Sequence, residues 1–94
     1  MYKIDFKSSV KKDFRKVNNT DIKFIRDSLN DFAKHFSSDY EIALMQKGKI
    51  KKLQSQKEDL YRLKLRSYRV IYKKYNDRLL ILVVHVTTRE SAYK

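Results

Sequence analysis

Apolar residues first recur with period two: Tyr2, Ile4 and Phe6 alternate with Lys3 and Asp5, the pattern of a half-buried strand. The period then lengthens. Val10, Phe14 and Val17 fall at helical spacing after Ser8 and Ser9, either of which offers a cap, and predict a short helix over 9–17. The Asn18-Asn19-Thr20 stretch breaks it. Asn19 or Thr20 then opens a longer helix in which Ile22, Ile25, Leu29, Phe32 and Phe36 form one apolar stripe, with Lys23, Arg26, Asp27 and Lys34 outside it. Ser38 and Glu41 fit a capping box and Gly48 sits where a helix would end, which allows a third, short helix. From Lys47 to Asp59 charges are dense and periodicity weak, so this stretch reads as a mobile loop or frayed extension.

Period two returns at Leu60. Tyr61, Leu63 and Leu65 face one way and Arg62, Lys64 and Arg66 the other, so the strand 60–66 has an apolar side and a cationic side. A second strand, Tyr68 to Tyr75, follows after about one residue, Ser67. Asn76-Asp77 makes a tight turn into a third, Leu79 to Thr87, whose LLILVVHV run is apolar on both sides, as in a central, doubly covered strand. The order strand, helix, helix, three-stranded meander predicts an α+β fold, βααβββ, with an antiparallel sheet and two helices on one face.

Length and composition narrow the classes. Ninety-four residues make one domain, 1–94, with a single modest core. The absence of cysteine excludes disulfides and zinc–thiolate sites. The opening MYKIDFKSSVKK lacks the apolar core of a signal peptide, and no apolar run approaches the ~20 residues of a membrane span, so the expectation is a cytoplasmic protein with no membrane partner. One glycine and no proline leave no linker or low-complexity segment.

Charge changes the picture most. Residues 49–75 hold ten Lys or Arg against two acids, a net +8 of the chain's +12, while both flanks are near balance. A focused basic field recruits polyanions through counterion release and steering. Nucleic acid is the leading partner class and an acidic protein the second. The same cations also fit a solvated strand guarded against edge aggregation.

The string Leu60-Tyr61-Arg62-Leu63-Lys64-Leu65-Arg66, then Tyr68-Arg69-Val70-Ile71-Tyr72, an acidic turn, an apolar strand, Arg89 and Tyr93, resembles the signature of the RelE/ParE superfamily of toxin–antitoxin toxins. The likeness covers nearly the whole chain and includes the element order. It implies a toxin neutralised by a cognate antitoxin, here expected to be acidic. One branch of that family cleaves messenger RNA in the ribosomal A site and another poisons DNA gyrase; the RelE branch is the better match.

By that resemblance the catalytic cluster falls on Arg62, Lys64, Arg69, Arg89 and Tyr93, with Arg66, Lys52, Lys73 and His85 as further RNA contacts. The implied partners are mRNA and the ribosome, and the implied chemistry is a metal-free, cofactor-free attack of the ribose 2′-OH on the adjacent phosphate. That reaction needs a base, cations for the charge growing on phosphorus, and an acid for the leaving oxygen. Arginine suits the second need, because a guanidinium stays charged and holds two phosphate oxygens. The chain departs from the RelE pattern at Arg62, where that branch has a lysine, and at Thr87-Thr88-Arg89, where many relatives have Gly-His-Arg. Lys64 is then the lysine left to act as base. His85, on the same strand side as Thr87 and Arg89, is the competing candidate, with a packed strand histidine as its plain alternative. His35, near the end of the long helix, reads as a surface or capping residue. Two other classes remain open: a ParE-like gyrase inhibitor without nuclease activity, and a non-catalytic basic RNA-binding domain.

Overall fold

The computed structural model describes residues 1–54 and 57–88. The strand β1 (Lys3–Phe6) leads to α1 (Ser8–Phe14), α2 (Asn19–His35) and α3 (Ser38–Gln46); four strands follow, β2 (Ile50–Leu53), β3 (Leu60–Leu65), β4 (Tyr68–Tyr75) and β5 (Leu80–Thr88). They form one five-stranded sheet in the order β1-β5-β4-β3-β2. The α+β class is as expected, and the expected three-stranded meander is extended by β2 to four antiparallel strands. The sheet is mixed rather than antiparallel, since β1 runs parallel to β5, and there are three helices among the described residues rather than two.

The largest addition is β2, which lies inside the stretch expected to be a loop. Lys51 pairs with Arg62 and Lys52 with Tyr61, so its short alternation of Ile50 with Lys49 and Lys51 is a strand pattern that four residues make easy to overlook. Caps also sit one residue earlier than expected. Asn18 accepts from the Asp21 amide at 2.8 Å, and Ser37, not Ser38, accepts from the Tyr40 amide at 3.1 Å. Ser8 and Ser9 cap nothing at the start of α1; the Ser9 hydroxyl instead donates to the Val84 carbonyl at 2.6 Å. Gly48, with φ of 75°, ends α3: its amide donates to the Met45 carbonyl and the Lys49 amide to that of Leu44, turning the chain straight into β2.

The core lies between α2 and one face of the sheet. Ile25, Leu29, Phe32 and Phe36 pack on Tyr61, Leu63, Val70, Tyr72, Ile81 and Val83, so the stripe and the apolar sides of the strands meet as the hydrophobic pattern requires. Inside it, the Tyr72 hydroxyl donates to the buried Glu41 carboxylate at 2.7 Å, and Lys74 pairs with the other oxygen of the same group. Burial, followed by the hydrogen bond and charge of Glu41, pushes the Tyr72 phenol far above its usual range. Burial alone would lower Lys74, but the hydrogen bond and charge of Glu41 outweigh it and hold the amine above its usual value.

The opposite face carries no helix among the described residues, which corrects the doubly covered reading of the last strand: β5 is an interior strand, but Leu80 and Leu82 are only half buried. Beyond the end of β1 the free edge of β5 is closed by α1, where Asp13 accepts from the Val86 amide at 2.9 Å and lies 3.3 Å from His85 Nδ1. That contact protects a strand edge from foreign pairing. No helix among the described residues is long and apolar enough to cross a membrane.

Candidate functional site

The uncovered face is where the cations gather. Register places Lys51 opposite Arg62 and Lys64 opposite Arg69, two cross-strand pairs on adjoining strands. Like charges directly opposite are destabilising in a sheet, so their accumulation needs a purpose beyond folding. They line a concavity of about 340 Å³ together with Lys49, Met45, Gly48 and Ile50. Five of its eight lining residues are cationic and none is acidic, an arrangement with the charge and the donors to hold several phosphate oxygens at once.

Arg69 is the buried member, only 5% exposed. Its Nη1 donates to the Arg66 carbonyl at 3.1 Å and to the Tyr68 carbonyl at 3.0 Å, so the turn between β3 and β4 holds the guanidinium in place. This turn has two residues, Arg66 and Ser67, rather than one, with Arg66 at φ of 54°. The consequence is a correction: Arg66 does not continue the cationic row of Arg62 and Lys64. Its guanidinium lies 3.7 Å from the centre of the Phe24 ring, on the side of the sheet that α2 covers.

The other expected contacts are dispersed. Lys52 points to the helix side, opposite Tyr61, and pairs with Asp59 at 3.6 Å. Lys73 shares the uncovered face but is engaged by Glu58, which holds the amine above and the carboxyl below their usual values. His85 is on that face too, opposite Ile71, with Asp13 at its Nδ1. Of the expected residues, then, Arg62, Lys64 and Arg69 come together. Arg89 and Tyr93 lie outside the described residues. Lys49 and Lys51 join the cluster unforeseen; the signal was the Lys-Ile-Lys alternation just after Gly48. Among the described residues no group of three or more His, Asp or Glu could hold a metal ion.

No family model and no curated protein sequence matches the chain. Solved structures do. The toxin–antitoxin complex RelBE of E. coli contains a chain that is 21% identical, with 94% of this chain and 96% of that one covered and a TM-score of 0.64. The RelE–RelB complex of the archaeon Pyrococcus horikoshii gives 22%, 94% of each chain and 0.66. A metal-bound toxin from Helicobacter pylori gives 13%, 97% and 98%, and 0.68. The fold of the described residues is therefore that of the RelE toxins.

Proposed function

We propose that this chain is the toxin of a type II toxin–antitoxin pair and acts as a ribosome-dependent endoribonuclease on mRNA. The observation that carries the reading is the concavity in which Lys49, Lys51, Arg62, Lys64 and Arg69 gather without an acidic residue, set on a RelE fold. Solved structures that share the fold are complexes with RelB antitoxins, which supports an acidic antitoxin as the partner of this one.

The cluster suits cleavage by the neighbouring 2′-OH. Lys64, in the role of base, takes the 2′-OH proton while the 2′-oxygen bonds to phosphorus. Arg62 and Arg69 hold the non-bridging oxygens as negative charge grows there, and Lys49 and Lys51 receive the adjoining phosphate. The bond from phosphorus to the 5′-oxygen breaks, the 5′-oxygen takes a proton from water, to which Lys64 returns the one it accepted, and the products are a 2′,3′-cyclic phosphate and a 5′-OH. Arg89 and Tyr93 belong to the catalytic cluster by resemblance. Arginine at 62 in place of lysine leaves Lys64 as the one lysine of the β3 pair, so the base role falls on Lys64.

The test is induction in cells, with primer extension on a reporter transcript and gyrase-linked DNA breaks assayed in parallel. Cuts within translated codons that vanish when initiation is blocked are expected. Intact mRNA with gyrase-linked breaks would move the chain to the gyrase-inhibiting branch, and neither effect would reduce it to an RNA-binding domain.

A further inference from the structure

A second concavity adjoins the cationic one and differs from it in chemistry. It has about 360 Å³, lies between α2, α3 and β3, and is walled by Phe24, Phe32, Tyr40, Leu44, Leu63 and Leu65. Lys49 and Lys64 line both hollows, and the Lys64 amide donates to the Lys49 carbonyl at 2.8 Å, so these two lysines form the ridge between them. Arg66 stands at the rim with its guanidinium carbon 3.7 Å from the centre of the Phe24 ring. It is exposed, so a ligand entering the groove can reach it.

The backbone holds this platform from behind. Arg66 adopts a left-handed conformation that L-residues seldom take, and Arg69 Nη1 fixes its carbonyl. The same arginine thus serves the phosphate cavity and anchors the stack beside it. A guanidinium already stacked on an aromatic ring loses little freedom when a second planar group settles on it.

The geometry points to a nucleobase-binding subsite: the groove takes one unstacked base of the RNA strand whose phosphates occupy the cationic cavity, and Arg66 on Phe24 is the surface on which that base stacks. The inference rests on the proposed RNA substrate and names a specificity-determining element of the same site. RNA is favoured as occupant because the groove, on the helix side of β3, and the phosphate cavity, on the uncovered side, meet at Lys49 and Lys64, where one strand passing the end of the β2–β3 pair reaches both, and because bases splayed from single strands stack on aromatic rings and guanidinium planes. Ser28, Asp31 and Tyr40, which also line the groove, are the groups that would meet the base's polar edge.

The experiment uses the full chain and a short single-stranded RNA bearing 2′-O-methyl groups, which removes the attacking hydroxyl. Matched oligonucleotides, each abasic at one position, keep every phosphate. By fluorescence anisotropy, loss of one base should weaken wild-type binding about tenfold, while loss of the others changes it little. In Arg66→Lys, which keeps the charge and sits at an exposed position, that step should shrink to about twofold or less, with binding of the abasic strand unchanged. Phe24→Leu, which retains an apolar contact, should do the same. If wild type binds all abasic strands as tightly as the intact one, no base is held and the groove serves some other occupant, such as an apolar side chain of a protein partner; the RNA reading then survives and the subsite does not. If Arg66→Lys keeps the full step, the base lies elsewhere. Absence of binding to any strand at low salt overturns the subsite, while the mRNA substrate stands or falls on the cuts within translated codons.

Discussion

Replacing Arg69 by alanine should damage stability and cleavage separately, and the two losses can be sized. The guanidinium donates through one nitrogen to two carbonyls of the β3–β4 turn, at 3.1 and 3.0 Å, from a side chain that is 5% exposed. Hydrogen bonds from a charged group contribute about 1.5–3 kcal/mol. Because one nitrogen is shared and water can reach turn carbonyls once the side chain is gone, the net cost should be about 2 kcal/mol. For a domain of this size that lowers Tm by roughly 10 °C. The catalytic loss is distinct: removal of one fixed charge from a developing oxyanion costs ~3 kcal/mol, on the order of a hundredfold in rate. Urea titration gives the first quantity and single-turnover cleavage on programmed ribosomes, at a temperature where the variant stays folded, gives the second. Arg69→Lys should recover part of the rate and little of the stability, since an ammonium keeps charge without the planar fork. An alanine variant with the wild-type urea midpoint would refute the turn-anchoring role, and one that is destabilised yet cleaves normally would make Arg69 purely structural.

Lys64→Ala should be at least as severe in single-turnover cleavage as Arg69→Ala, whereas His85→Gln, which can still meet Asp13, should leave the rate near wild type; the reverse pattern would hand the base role to His85. The Tyr72 phenol, raised by burial and by Glu41, holds its proton more tightly folded than unfolded. Its contribution is therefore fully present below about pH 10 and lost as pH rises beyond it. Denaturant midpoints should fall above that pH in wild type and less steeply in Tyr72→Phe; equal slopes would remove Tyr72 as the cause. Leu79 has φ of 50° and is 46% exposed, so Leu79→Asn, which tolerates that conformation, should raise stability by roughly 0.5–1 kcal/mol. A lower Tm would show that Leu79 is held by packing and not strained.

What could be read from the sequence followed the strength of each periodic signal. The α2 stripe from Ile22 to Phe36 and the alternation from Tyr61 to Leu65 each repeat often enough to define a face, and both faces meet in the core. β2 has four residues and one buried side chain, Ile50, so its pattern could not stand out from a charged stretch. The parallel pairing of β1 with β5 is a long-range choice that no local spacing encodes. For the site, alternation correctly joined Arg62 and Lys64, and register brought Arg69 to them. It failed at Arg66, because alternation holds only while the strand lasts: β3 ends at Leu65, and a left-handed turn residue points where the turn sends it. It failed again at Lys52, because a residue's face depends on the register of its strand, and Lys51 is the one that meets Arg62. Sequence therefore locates the charge, but pairing decides which cations share a surface. Here pairing selects Lys49 and Lys51 from the basic stretch before β3 to stand with Arg62, Lys64 and Arg69, and the turn sets Arg66 aside against an aromatic ring on the other side of the sheet.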